Sequence, residues 1–375
     1  MFIRILIISL LVISVPGYGQ KDYSSIDKNS ERVPDSLATY AEIAQFLTKD
    51  LSSDEDKARA IYYWIARNIE YNLPQLYLNK RYFSTEEIIL EVLQNRSGVC
   101  QHYSELFHAM ARSADLTSYV ITGYTRNVFD RIDEFSHSWN AIQLDSNFYM
   151  IDVTWAAGYV QDGKYVHKFR DAFFLKTPVE FLQDHMPFDP IWQCIDNPLT
   201  YEDFLSRNYK KLEVPGAYNF IDSISLFEEL SKPEQLDHSN RRIRENKPNN
   251  SLIRNRIDEN ILQISYWNYI RAIDTLNSGI ENYNEYISLK NWQFRNPKTE
   301  DSRIKELIDH ASSGVYAAND MMYRLFSSNQ ELNDLIVEQR NRMPAIISDI
   351  EREKDFVDRY LRKWKPLRIF MFLKL

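Results

Sequence analysis

The sequence predicts an α+β domain, with helices packed on one side of an antiparallel sheet, followed by a C-terminal α-helical bundle or hairpin. Three observations carry that expectation. Helical periodicity marks residues 36–48, 54–70, 85–95 and the stretch that begins at Cys100. Three β-branched and aromatic runs, 118–126, 137–144 and 148–155, read as strands. After about residue 205 the composition changes to long helical patterns. The expected division is 1–19 leader, 35–205 α+β domain, 206–250 linker and 251–375 helical domain.

Residues 1–19 combine Arg4, an apolar run from Ile5 to Val15, and the small residues Gly17 and Gly19. That is the pattern of a secretory signal peptide cleaved before Gln20, with an uncleaved anchor as the alternative. It implies an exported protein, periplasmic or extracellular. Residues 36–48 place Leu37, Tyr40, Ile43, Ala44 and Leu47 on one helical stripe. Ser52 and Glu55 form an expected capping box for helix 54–70, and Ser84 and Glu87 one for helix 85–95. Gly98 then breaks the chain. A stripe of Tyr103, Leu106, Phe107, Met110 and Ala114 follows, so Cys100 falls in the first turn of a helix. Asp145-Ser146-Asn147 is turn chemistry joining the last two strands as an antiparallel hairpin.

Cys100, His137 and Asp152 read as one active site. Unpaired N–H groups and the positive end of the dipole at a helix start stabilise a thiolate, and a nearby imidazolium lowers a thiol pKa further. With Asp145-Ser146 as a two-residue loop, His137 lies opposite Thr154 and Asp152 is its diagonal neighbour on the same face, roughly 7 to 8 Å away between backbones. A one-residue slip would separate them onto opposite faces. His137 would take the thiol proton and return it to a leaving amine, while Asp152 orients the ring.

These segments resemble a known family. Gly98-Val-Cys-Gln-His-Tyr-Ser-Glu-Leu-Phe107, His137-Ser-Trp-Asn-Ala-Ile142 and Tyr149-Met-Ile-Asp-Val-Thr-Trp155 are similar to the three core motifs of the transglutaminase-like superfamily. The flanks Lys57–Tyr71, Phe173-Phe-Leu175 and His185–Gln193 make the kyphoscoliosis-peptidase-like branch the nearest resemblance. It spans roughly residues 35–200 and implies a papain-like fold with Cys100 as nucleophile, His137 as general base and Asp152 as its orienting residue. No motif identifies the second oxyanion donor; Gln101, Trp64 and Tyr71 are nearby polar candidates. The family includes crosslinking transferases, peptidases and members without known turnover, so resemblance does not choose among them.

The two cysteines, Cys100 and Cys194, make no disulfide scaffold, although a bridge between them would silence the nucleophile. Cys194 reads as a buried structural thiol, and His185 as the cap of a helix end. No Cys/His pair has metal-ligand spacing, so neither metal nor cofactor is expected. A net charge of −8 and no basic block larger than Arg241-Arg242-Ile-Arg244 argue against nucleic acid. Nine glycines without a phosphate-loop pattern argue against a nucleotide. The polar stretch from Lys232 to Asn250 reads as a solvated linker.

Helices are expected over 251–289, 302–327 and 330–362, the last started, ended or kinked by Pro344. The stripe Leu252, Ile257, Ile261, Ile264, Trp267, Ile270, Ile273 and Leu276 is core first and a protein-partner face second. Three functions fit: a thiol-dependent peptidase or amidase acting through a thioester on peptide or side-chain amides, an amine-transferring transglutaminase that crosslinks proteins, or a binding module on the same fold.

Overall fold

The computed structural model describes residues 21–372 apart from 79, 81, 83 and 128. The leader expected at 1–19 lies outside the described residues. Among them, no helix is long and apolar enough to cross a membrane. The described residues form two compact units, one within 21–121 and 137–181 and the other within 122–136 and 182–372.

The first unit begins with α1 (Ser24–Ser30), α2 (Tyr40–Thr48) and α3 (Asp54–Asn68). Helix α2 starts four residues after the expected boundary because Thr39 and Glu42 close a capping box there. The cap of α3 is Ser53 rather than Ser52; its side chain accepts from the Asp56 amide. Helix α1 was not apparent in the sequence. Arg59 of α3 holds it, donating from Nε and Nη2 to the Asp27 carboxylate at 2.8 and 2.7 Å and pairing also with Asp171. The guanidinium is buried and stands 4.6 Å from the Tyr23 ring and 5.3 Å from that of Phe174.

Next come β1 (Glu70–Tyr71), α4 (Leu73–Leu76), α5 (Thr85–Asn95), β2 (Ser97–Gly98) and α6 (Cys100–Ser113). Ser84 caps α5 as expected, accepting from the Glu87 amide at 3.2 Å. Strands β1 and β2 make a two-residue parallel ladder, Glu70 beside Ser97 and Tyr71 beside Gly98. Helix α6 sinks its expected stripe, Tyr103, Leu106, Phe107 and Met110, into a core with Ile43, Ile61 and Ile65.

Strand β3 (Thr117–Thr125) contributes its first five residues to this unit, alongside β4 (His137–Leu144) and β5 (Asn147–Ile151). The β4–β5 register runs from Leu144 opposite Asn147 to Asn140 opposite Ile151. This is the register that an Asp145-Ser146 loop dictates. The expected strand 148–155 is shorter, however: β5 stops at Ile151 and α7 (Val153–Ala157) follows. A hairpin of β6 (Gly158–Gln161) and β7 (Lys164–His167), then α8 (Pro178–Phe181), complete the unit.

In the second unit, the end of β3 pairs antiparallel with β8 (His185–Pro187), Thr125 opposite His185 and Gly123 opposite Pro187. His185 is therefore a buried strand residue, bonded through Nδ1 to Asp184 at 2.5 Å, and not a helix cap. After α9 (Tyr201–Ser206), the expected linker 206–250 instead carries α10 (Phe220–Glu229) and α11 (Lys232–Glu245). The polar composition concealed α11: Ser231 and Glu234 open it, and only Leu236, Asn240 and Ile243, on one narrow stripe, are buried.

The long helices are α12 (Ser251–Asn291), α13 (Asp301–Arg324) and α14 (Gln330–Arg362). Helix α14 runs through Pro344, which neither starts nor ends it, with Met343 and Ile350 buried on either side. The core reading of the α12 stripe needs correcting, since Ile261, Trp267 and Ile270 are exposed. The buried residues of α12 are Ile253, Asn260, Ala272, Leu276, Gly279 and Tyr286; Leu276 alone of them belongs to the expected stripe, and Gly279 lets α13 approach closely. A Cβ on Gly314 would sit 2.9 Å from the Gly279 Cα and 3.3 Å from the Thr275 carbonyl oxygen. Both are backbone atoms, so relief requires moving a helix. Gly314→Val is expected to destabilise this bundle by about 1–3 kcal/mol, read as a lower urea midpoint of the full chain; an unchanged midpoint would contradict the close crossing. At the C-terminus, the Phe372 ring packs 5.6 Å from Phe356 and 5.9 Å from Tyr360.

Candidate active site

The β1–β2 ladder sets the first part of the site. The Asn72 amide donates to the Gly98 carbonyl at 2.9 Å, which fixes Tyr71 beside the residues that lead into α6. Val99 is the N-cap of α6 and Cys100 its first residue, buried. The sulfur thus stands at a helix start, where backbone N–H groups lack intrahelical acceptors and the dipole favours negative charge.

His137 is the first residue of β4. Its Nε2 lies 2.7 Å from Asp152 Oδ2, in a buried pair. The expected partnership exists, but not as a diagonal contact across two strands. Asp152 is the N-cap of α7: its Oδ1 accepts from the Trp155 amide at 2.9 Å while Oδ2 holds the imidazole. An aspartate favours that cap position over another strand residue, and the turn it makes brings the carboxylate to the histidine. The Trp155 and Trp139 rings flank the imidazole at 5.6 and 6.0 Å.

The Cys100 side chain also hydrogen-bonds His137. Burial pushes the imidazolium toward losing its proton, but the Asp152 carboxylate and then the Cys100 sulfur outweigh it and raise the His137 pKa to about 10. The structure therefore brings Cys100, His137 and Asp152 together, with the ring protonated through neutral pH.

The oxyanion candidates separate. The Trp64 ring is buried and lies 5.1 Å from the Arg96 guanidinium, and Gln101 is exposed. Tyr71 is the candidate that stands near the Cys100 sulfur and the Asp152 carboxylate. Burial, then the nearby Cys100 sulfur and Asp152 carboxylate, push its phenol well above the ordinary value, so it remains an O–H donor at neutral pH.

Two further residues shape the site. Asn140, three residues along β4 from His137, donates from Nδ2 to the Ser104 carbonyl of α6 at 3.0 Å and to the Tyr119 carbonyl of β3 at 3.3 Å. It ties the cysteine helix to the histidine strand, and its place in the His-Ser-Trp-Asn motif was the available signal. The other is His102, buried within α6 and bonded to Tyr82 at 2.9 Å. In the second unit Cys194 is a buried free thiol, its pKa pushed up by burial alone. Cys100 is likewise unbridged.

The cluster sets a sulfur beside a protonatable imidazole that a carboxylate also holds, an arrangement that can support nucleophilic attack by the sulfur. The family profile described as "Transglutaminase-like superfamily" matches residues 41–167. Kyphoscoliosis peptidase of Mus musculus is 28% identical over 179 residues, covering 46% of this chain and 27% of that protein. The Lim and transglutaminase domain protein ltd-1 of Caenorhabditis elegans is 26% identical over 211 residues, 50% of this chain and 28% of that protein. Hillarin of Drosophila melanogaster is 24% identical over 188 residues, 44% and 22% respectively. The matches span only 22–28% of the length of these relatives.

Proposed function

Residues 41–167 of this chain belong to the transglutaminase-like superfamily, and from that premise we propose a thiol-dependent acyl-transfer enzyme, hydrolytic in its outcome, acting on peptide or side-chain amides. The observation that carries this reading is His137 bonded through Nε2 to Asp152 while it also hydrogen-bonds Cys100. A buried imidazole committed on both sides to those partners is costly as packing and useful as a proton carrier.

In the proposed reaction the Cys100 sulfur, its proton passed to His137 Nδ1, attacks the amide carbonyl carbon. A C–S bond forms and the charge moves to the carbonyl oxygen, which the helix-start N–H groups and the Tyr71 hydroxyl would hold. The C–N bond then breaks, and the amine or ammonia leaves with the His137 proton. Water, deprotonated by His137, attacks the thioester; the C–S bond breaks and the thiol returns.

Two measurements on the full chain test this. Iodoacetamide at neutral pH should alkylate Cys100 faster than free cysteine and leave Cys194 unmodified until urea exposes it. If Cys100 reacts no faster than free cysteine, and His137→Ala changes nothing, the enzymatic reading fails. Incubation with a glutamine peptide and a labelled amine then separates outcomes. Released acid or cleaved peptide supports hydrolysis; incorporated label supports amine transfer instead.

A further inference from the structure

We infer that His102 is a positioning residue for Cys100: its neutral imidazole latches the first turn of α6, and protonating it opens that turn and slows the thiol. The inference rests on the proposed role of Cys100 as nucleophile, but its geometry is independent of the His137–Asp152 pair.

Valine at the N-cap has no side-chain oxygen to offer the free amides of a helix start. The N3 residue takes the other half of the capping arrangement, where Glu or Gln ordinarily stands. His102 occupies N3, and its Nδ1 accepts from the Val99 amide at 3.3 Å, while its own amide donates to the Val99 carbonyl at 2.8 Å. The ring is seated against Gly98, where a Cβ would lie 2.5 Å from the His102 Cβ and 2.6 Å from its Cγ. Latch, glycine and nucleophile are thus contiguous over residues 98–102.

The contact with the Val99 amide fixes the tautomer of the ring. With Nδ1 accepting, a neutral ring carries its proton on Nε2 and donates to the Tyr82 oxygen 2.9 Å away. Tyr82 donates in turn to Glu91, and Gln75 Nε2 donates to the Tyr82 oxygen at 3.0 Å and to Glu91 at 2.9 Å. Lys80 pairs with Glu91. Among the described residues, the titratable groups facing the ring from other elements are Tyr82, Glu91 and Lys80. Burial lowers the His102 pKa, Glu91 opposes this and Lys80 adds to it, for a net lowering. The ring is accordingly neutral at neutral pH and gains its proton only in acid, below the ordinary histidine value of about 6.5. A proton on Nδ1 then faces the Val99 N–H, donor against donor, and the latch is lost.

The test is the rate of Cys100 alkylation by iodoacetamide, followed on the Cys100 peptide from pH 4.5 to 8, in the full chain and in His102→Gln and His102→Leu. Glutamine accepts from the Val99 amide but does not titrate. His102→Gln should keep the neutral-pH rate within about threefold of the native chain and retain more of it at pH 5. His102→Leu, which has no acceptor, should react roughly 5- to 10-fold more slowly at neutral pH. Thermal melts separate this loss from unfolding; if leucine does not fold, the glutamine pH profile decides alone. An acid limb in His102→Gln that overlies the native one overturns the inference. So does a folded leucine variant that reacts at the native rate. Native Cys100 reacting no faster than free cysteine sinks the proposed function instead, and the ratios between variants still judge the latch.

Discussion

Asp152→Asn is expected to lower turnover of an amide substrate by roughly 10³- to 10⁴-fold while the chain remains folded. Asp152 uses both oxygens as acceptors, Oδ1 for the Trp155 amide at 2.9 Å and Oδ2 for His137 Nε2 at 2.7 Å. Asparagine has one acceptor oxygen. If that oxygen keeps the helix cap, its NH₂ faces Nε2 and forces the wrong tautomer on the ring; if it serves the ring, α7 loses a cap worth about 1 kcal/mol. The pH profile gives an independent signature. In the proposed reaction, the raised His137 pKa means that the proton for the leaving amine would be held through neutral pH and lost as pH rises through about 10. The native basic limb belongs there. Without the carboxylate the limb should move down, toward the ordinary histidine value of about 6.5. A variant with the native rate and the native limb would remove Asp152 from the mechanism.

Gly98→Ala is the second large effect. The added methyl would meet the Cβ and Cγ of His102 at 2.5 and 2.6 Å. Those atoms are anchored to the backbone of α6, so rotating a flexible side-chain end does not relieve the contact. The first turn of α6 must shift, or the β1–β2 ladder must open. The cost is expected to be about 1–3 kcal/mol in urea denaturation. A displacement of Cys100 by about 1 Å from His137 is expected to cost roughly 10²-fold in turnover. Native alkylation kinetics at Cys100 in the alanine variant would show that the glycine is not required for the site.

Much of this arrangement was legible in the residues. Helical periodicity placed Cys100 at the start of α6, and the Asp145-Ser146 turn dictated the pairing of Asn140 with Ile151. The turn at Asp152 was hidden because Val153, Thr154 and Trp155 are strand-formers by type, and the local cap overrode that preference. The two-residue β1–β2 ladder has no periodicity to detect, so Tyr71 could be named only as a neighbour. His102 is two positions from Cys100 on a helix, where side chains face apart, and its partner is the Val99 amide and not the sulfur. In α12 the large apolar residues suggested a core stripe, yet Trp267 is exposed and the close approach to α13 is made at Gly279, against Gly314.

The knot at Arg59 bears on where an autonomous folding piece can begin. The matched family segment starts at residue 41, yet one of the two carboxylates neutralising this buried guanidinium, Asp27, comes from α1. A fragment trimmed to the matched segment would leave a desolvated cation with Asp171 as its remaining counterion and strip away the Tyr23 ring that covers it. The practical edge of the domain therefore lies at or before residue 23, ahead of the segment that matches the family profile.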